Sequence, residues 1–266
     1  MKTTNFLIFT IALISFYVQA QEPIVLPIDA TYSNALINIS LQSGSMNIVG
    51  HDKNQFTIYV ELDSSFAETK KTEDKDGFVR LVNNAFDLEI TNSGNRLDIN
   101  SYSSKGLKKL TVKVPRSSDM SLLTNNGDLG IENVQGKLDV ISNYGKIDIK
   151  RIHGSVVASC PNGNTFIDFA SLDKKNPSSI TSLNGKIEVN VPAESSISFK
   201  LLSIEGNIYS NFDIQLIPKV INHYENTENG SYLAIKKWMV GSLNDGGQTI
   251  SISTVHSNIY LKTKKD

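Results

Sequence analysis

Five glycines recur at constant spacing in the middle of this chain, and this spacing limits the fold more than any other feature. They are Gly127, Gly136, Gly145, Gly154 and Gly163, nine residues apart, and each is followed by alternating apolar and polar residues. A unit this short cannot bury its own apolar face and must stack on its neighbours. The spacing predicts a repeat architecture in which each unit is one strand and one turn, with glycine at a corner of positive φ.

The residues before these glycines are of two kinds, so the full period spans two glycine intervals. Gly127, Gly145 and Gly163 follow Asn-Asn, Asn-Tyr and Pro-Asn, whereas Gly136 and Gly154 follow Val-Gln and Ile-His. One coil of this period holds two strands and two turns. Asparagines before the glycines, at Asn126, Asn162 and Asn184, are predicted to form a stacked ladder that caps turn backbone groups.

Side chains alternate along each strand, which predicts one buried face and one solvated face. The solvated set is largely charged. The set predicted to point inward is Leu129, Ile131, Leu138, Val140, Ile147, Ile149, Val156, Ala158, Thr165, Ile167 and Phe169.

The period lengthens after Phe169. Gly185 follows Gly163, and Gly206 follows Gly185, at a spacing greater than two of the earlier glycine intervals. Residues 216–244 then interrupt it, and Asn229-Gly230 between apolar runs indicates an antiparallel hairpin. The predicted fold is all-β: a single-stranded parallel β-solenoid of about 18 to 22 residues per coil with a hairpin-like excursion before the last coil. The basic C-terminal tail is predicted to be its charged last edge.

The first 20 residues have the features of a secretory signal peptide: an early lysine, an apolar run and a small residue at Ala20. An uncleaved anchor is the alternative, but the apolar run is short for a membrane span. We expect export to the periplasm, the outer surface or the medium, with no transmembrane segment after cleavage. Residues 21–266 are predicted to form one β-solenoid domain with a polar loop at 64–77 and an insertion or cap at 216–244.

Charge and composition disfavour several function classes. The chain has 26 basic and 27 acidic residues, and removing Lys2 with the leader leaves 25 and 27, well mixed along the sequence. Nucleic acid is therefore disfavoured as a partner. Cys160 falls on the inward phase and is predicted to be a buried structural thiol. The four histidines are scattered, and no phosphate loop or nucleophile elbow occurs. We expect no metal, no cofactor and no enzymatic activity.

Stacking the coils brings one outward row together: Gly130, Asp148, Phe166, Glu188 and Tyr209 are expected on successive strands about 4.8 Å apart. Asp148 and Glu188 would then lie about 10 Å apart with Phe166 between them. A sugar-binding surface fits this row, and so does an ordinary solvated sheet. A glycosidase, which needs two carboxyls about 5 to 9.5 Å apart, is the least favoured interpretation.

Two aromatic residues of the 216–244 excursion, Tyr232 and Trp238, are candidate anchors for a protein partner. The alternative for Trp238 is that it covers the open end of the core.

The succession ISLQSGSMNIVGHD, KKLTVKVPRSSDMSLLTNNGDLGIENVQGKLDVISNYGKIDIKRIHGSVVA and GSLNDGGQTISISTVHSNIYL resembles the bacterial putative-adhesin family of β-solenoid domains of unknown function. It is similar, more loosely, to the autotransporter-adhesin head domain with a Gly-Ile-Asn signature. The resemblance extends from about Ala35 to Thr263; one departure is His256-Ser257-Asn258, where the family usually has a glycine. It implies an exported parallel β-solenoid and supplies no catalytic residues.

Two functions remain from the sequence. The first is an exported, non-catalytic, adhesin-like interaction module on the cell surface or secreted. The second is a cell-envelope accessory or sensory protein that acts through protein contacts. A polysaccharide-binding or polysaccharide-cleaving β-helix is less favoured. The residues do not identify the partner, so an envelope protein and a glycan both stay open.

Overall fold

The computed structural model describes residues 22–28, 34–63, 72–73, 79–80, 85–227 and 230–264. The predicted signal peptide lies outside these residues, as does the 64–77 loop except for Thr72–Glu73. The described chain consists of strands and turns without a helix, which confirms the all-β prediction. Among these residues there is accordingly no helix with the length and apolar character that crossing a membrane requires.

Strands are short and separated by tight turns, as the alternating pattern predicts. In chain order they are β1 (Ile24–Pro27), β2 (Leu36–Ser43), β3 (Ser45–His51), β4 (Gln55–Leu62), β5 (Thr72–Glu73), β6 (Val79–Arg80), β7 (Glu89–Ser93), β8 (Arg96–Ser101), β9 (Leu107–Pro115), β10 (Asp119–Asn126), β11 (Leu129–Glu132), β12 (Leu138–Tyr144), β13 (Ile147–Gly154), β14 (Val156–Cys160), β15 (Thr165–Leu172), β16 (Ser178–Ser182), β17 (Ile187–Pro192), β18 (Ile197–Ser203), β19 (Ile208–Ser210), β20 (Ile217–Thr227), β21 (Gly230–Leu243), β22 (Gln248–Thr254) and β23 (Ile259–Lys264).

Parallel pairs in the middle of the molecule keep a constant register step. Leu129 pairs in parallel with Ile147, and Ile147 pairs in parallel with Thr165, so each step equals two glycine intervals. The next step, from Thr165 to Ile187, is longer, as the position of Gly185 indicates. A strand of one sheet, the following turn and a strand of the other sheet form one layer, and consecutive layers stack through these parallel pairs.

The two large sheets have the strand orders β1-β4-β9-β3-β11-β13-β15-β17-β23-β19 and β20-β21-β18-β22-β16-β14-β12-β10-β2-β8-β7. We call them the ten-stranded and the eleven-stranded sheet. Most neighbours are parallel. Four outer pairs depart from the predicted parallel stack: β1–β4, β4–β9, β7–β8 and β18–β21 pair antiparallel. The β20–β21 pair is also antiparallel, as the predicted hairpin requires.

Chain order and stacking order differ at both ends, contrary to the predicted sequential stack. The β2/β3 layer lies between β8/β9 and β10/β11, and the last layer, β22/β23, lies between β16/β17 and β18/β19. The basic C-terminal strand is therefore internal and not the last edge. All layers share the same apolar alternation, so local sequence fits several positions in the stack equally well.

Apolar side chains from both sheets form one hydrophobic core. All eleven side chains predicted to point inward are buried, including Phe169 and Thr165. Cys160 is buried as predicted, and its Sγ lies 3.0 Å from the Gly145 carbonyl oxygen. Burial raises the pKa of its thiol, which keeps the group protonated and unreactive.

Amide side chains connect successive turns, as the asparagine spacing predicts. Asn184 Nδ2 donates to Asn162 Oδ1 at 2.9 Å. In the earlier turns the ladder uses the neighbouring asparagine: Asn143 Nδ2 donates to Asn125 Oδ1 at 2.6 Å, so Asn125 takes the place predicted for Asn126. The ladder satisfies side-chain amides along the stack and keeps the turns in register.

Strands β20 and β21 form an antiparallel hairpin over the range where the sequence indicates one, with Thr227 opposite Gly230. Strand β21 also pairs with β18 from Met239 to Leu243, which attaches the hairpin to the end of the eleven-stranded sheet. We call residues 217–239 the arm. Large apolar side chains remain exposed along it, among them Leu233 and Ile235.

Candidate ligand-binding face

The outward row predicted from the period exists on the ten-stranded sheet. Gly130 lies beside Asp148, Asp148 beside Phe166 and Phe166 beside Glu188. Glu188 does not lie beside Tyr209, however, because the inserted last layer places Tyr260 between them. The predicted order of the row is correct from Gly130 to Glu188, but it omits β23, which lies between the strands of Glu188 and Tyr209.

Two tyrosines end the row. The rings of Tyr209 and Tyr260 stack with centroids 4.9 Å apart and an interplanar angle of 15°. Lys186 Nζ lies 5.4 Å from the centroid of the Tyr260 ring. Tyr209 is 46% exposed, so the stack presents an aromatic surface to solvent. Tyr260 was missed in the sequence because its strand comes last in the chain; its alternation phase within SNIYLKT was the available signal.

Glu188 is the most constrained charge of the row. Its carboxylate accepts hydrogen bonds from Lys262 Nζ at 2.6 Å and Lys186 Nζ at 3.1 Å, and the side chain is only 14% exposed. The hydrogen bond from Lys262, followed by that from Lys186, lowers the pKa of Glu188 below its usual value. Lys262 lies on β23 and Lys186 directly precedes β17, so this cluster ties the last layer to β17.

Replacing Glu188 by glutamine is expected to reduce the free energy of unfolding at pH 7 by about 1 kcal/mol. A carboxyl whose folded pKa is lowered stabilises the protein above its unfolded pKa of about 4.3 and ceases to do so as the pH falls through the folded value. The difference between the two proteins should therefore shrink on acidification. Urea unfolding at a series of pH values measures this.

The control for that measurement is Glu194→Gln, at an exposed turn position. It should leave the pH dependence unchanged. A stability difference at Glu188 that stays constant down to acid pH would show that packing, and not charge, is responsible.

The other acids near the row are also paired with lysines. Asp148 accepts from Lys150 Nζ at 3.0 Å, and Asp168, on the next outward position of β15, accepts from Lys264 Nζ at 2.7 Å. The second carboxylate oxygen of Asp148 is buried and has no protein partner in the described chain. A hollow of about 150 Å³ lies beside it, lined by Lys146, Asp148, Asn164, Phe166, Lys186 and Glu188.

The geometry of this face suits contact better than proton transfer. Asp148 and Glu188 stand two strands apart, about 10 Å, with Phe166 between them. A glycosidase acid requires a raised pKa, whereas that of Glu188 is lowered. What the face offers is aromatic surface, ammonium donors and carboxylate acceptors along a straight line.

The predicted anchors of the arm lie in β21. Trp238 is partly buried, and Lys200 Nζ lies 4.3 Å from the centroid of its ring, within cation–π range. Trp238 pairs across the hairpin with Lys219. It directly precedes Met239, where the pairing of β21 with β18 begins. The backbone of Tyr232 is opposite Glu225, and its side chain lies outside the described residues.

The chain matches no protein-family model and no curated protein. Among solved structures it is similar to a putative cell adhesion protein from Clostridium sporogenes, with 13% identity over 91% of this chain and 99% of that chain and a TM-score of 0.47. It is also similar to a putative adhesin from Bacteroides fragilis, with 10% identity, 91% and 96% coverage and a TM-score of 0.36.

Proposed function

We propose that this protein is an exported, non-catalytic, adhesin-like interaction module, built as a β-solenoid, whose ten-stranded sheet binds an extended glycan. The parallel pairing of layers at the intervals that the glycines mark supports the solenoid description. A rigid stack of this kind presents the same outward positions at regular intervals, which suits a long ligand with repeating groups.

The observation that carries the proposal is the row from Phe166 to Tyr209. Four successive strands carry, in order, Phe166, Glu188, Tyr260 and Tyr209. The two tyrosine rings stack, and Glu188 is held by two lysines. Aromatic faces pack against the C–H faces of sugar rings, while charged groups hydrogen-bond to hydroxyls. The row is about 15 Å long, since neighbouring strands are about 4.8 Å apart.

The same residues support a non-catalytic role. The carboxylates of Glu188, Asp148 and Asp168 are each hydrogen-bonded to at least one lysine, and at Glu188 these hydrogen bonds lower the pKa. A general acid would need the opposite tuning.

Replacing Tyr260 by alanine is expected to weaken glycan binding at least about tenfold, because one ring of the stack and its contact with Lys186 are lost. The measurement is a screen of the purified mature chain against bacterial and host glycans, followed by titration of the tightest ligand with the wild-type and variant proteins.

Tyr102 provides the matched control, since it is 79% exposed and follows β8 at the opposite end of the stack. Tyr102→Ala should bind as the wild type does. Equal glycan affinity in the Tyr260 and Tyr102 variants would show that the row is not the binding surface, and failure of every glycan would remove glycan binding from the proposal.

A cell-envelope accessory or sensory role is the second candidate, and the exposed apolar side chains of the arm favour it. Leu233 and Ile235 are 58% and 65% exposed, and adjoining exposed apolar side chains are a feature of protein-interaction surfaces. Loss of an envelope partner in Trp238→Ala, at unchanged melting temperature, would support this candidate over the first.

A further inference from the structure

Strand β20 is the outermost strand of the eleven-stranded sheet. In the described part of the chain it pairs with β21 alone, so no second strand pairs with its other edge along these 11 residues. Pro218 stands near its start, and every later residue of the strand has a peptide N–H. Long open edges pair readily with another strand unless the sequence prevents it.

The sequence of β20 is complementary to itself around Asn222. In an antiparallel pair of two copies centred on this residue, Lys219 of one copy faces position 225 of the other, which is a glutamate. Val220 faces Tyr224 in the same pairing. Both matches occur twice, once on each side of the centre, which is the requirement for a two-fold interface between identical chains.

Three of these side chains, those of Lys219, Val220 and Tyr224, are exposed. Val220 and Tyr224 are each 61% exposed. Lys219 is exposed as well. Opposite charges directly across two strands stabilise the pair, as do contacts between an aromatic and a β-branched side chain.

The hairpin register extends the match to β21. Glu225 lies opposite Tyr232, and Lys219 lies opposite Trp238. Across two copies the order in one row becomes Tyr232, Glu225, then Lys219 and Trp238 of the second copy. Trp238 of one copy would therefore lie next to the Lys219 side of each ion pair.

We propose that the protein self-associates through β20, with two copies pairing antiparallel about Asn222, so that the eleven-stranded sheet continues through a two-fold axis. The partner of the arm is a second copy of this chain. Pairing of one strand edge buries less surface than a standard interface, so the dimer is expected to be reversible and concentration-dependent. This inference is independent of glycan binding.

Charge reversal tests the register. In Lys219→Glu two glutamates face each other, and in Glu225→Lys two lysines do, so each single variant should raise the dissociation constant of the dimer at least about tenfold. The double variant Lys219→Glu/Glu225→Lys restores opposite charges and should recover wild-type self-association. Sedimentation over a wide concentration range measures all four proteins, with Lys174→Glu in an exposed loop as the control.

A cysteine on the two-fold axis provides a second test that does not depend on charge. Directly opposed residues in an antiparallel pair have Cα atoms about 4.5 to 5.5 Å apart, a distance that a disulfide can bridge. Asn222→Cys should form a covalent dimer on mild oxidation. Thr227→Cys should not, because in this register the two copies of residue 227 are about 33 Å apart. Native Cys160 is buried and does not interfere.

The proposal is overturned if the wild-type protein stays monomeric at every concentration, or if it dimerises with equal affinity in both single charge variants. Equal cross-linking of the 222 and 227 variants would also overturn it.

Discussion

Replacing Gly163 by alanine is expected to lower the free energy of unfolding by about 2–4 kcal/mol. A Cβ atom at this position would lie closer than 3.0 Å to the carbonyl oxygen of Gly145 in the adjacent layer. That oxygen belongs to the backbone of a turn that is itself bonded to its neighbours, so it cannot move without disturbing the stack. Urea unfolding of the two proteins, followed by circular dichroism, measures the difference.

Gly130 is the matched control for this prediction. Its added Cβ would approach Asn47 Oδ1 at 3.0 Å, the end of a side chain that can rotate away. Gly130→Ala should therefore change stability by less than about 1 kcal/mol, and alanine is the better residue in a strand interior. Similar losses in the two variants would show that the close approach of the turns is not what requires glycine.

Phe169→Ala is the second large effect, with an expected loss of about 3–5 kcal/mol in the free energy of unfolding. The ring is fully buried in the core between the sheets, and β15 is paired on both sides. The surrounding strands are held by parallel ladders and can close only part of the cavity. Chemical denaturation again gives the difference.

Phe166 lies on the same strand but on the outward face. Phe166→Ala should cost less than about 1 kcal/mol while weakening glycan binding by the ten-stranded sheet. This pair of variants separates core packing from surface contact within one strand. A large stability loss at Phe166, or a small one at Phe169, would contradict the assignment of the two faces.

The alternation of side chains was sufficient to predict the core. Each of the predicted inward residues from Leu129 to Phe169 is buried. Burial in these strands follows the alternation of side chains between the two faces, and this alternation can be recognised within a single strand sequence. The pairing of each central layer with the one that starts two glycine intervals later was predictable for a similar reason, because it follows from the glycine spacing alone.

The role of the glycines was predicted less well. The expectation was positive φ at each corner, yet among the five repeat glycines only Gly145 has it, at 156°. Gly127 and Gly163 are required because a carbonyl oxygen of the neighbouring layer leaves no space for a side chain. This reason involves two turns that are distant in sequence, so the residues around one glycine do not reveal it.

The order of the layers at the two ends was not predictable, and the candidate site changed with it. Strand β23 satisfies the same alternation whether it stacks on β17 or beyond β19, so a periodic pattern does not decide between them. The observed choice brings Tyr260 between Glu188 and Tyr209 and supplies Lys262 to Glu188. Two side chains of the candidate face therefore come from a strand that the sequence had placed at the outer edge.

The position of the β22/β23 layer also governs when the molecule can be completed. Strand β22 pairs with β16 and β18, and the whole arm separates it in sequence from both of these partners. During synthesis β18 and the arm exist before the layer that joins them to the rest of the stack. Contacts between such distant segments form slowly, so this end of the protein stays open until β22 and β23 have been synthesised. A chain that lacks β22 and β23 would have no firmly attached arm, and self-association through β20 would be restricted to molecules that contain this layer.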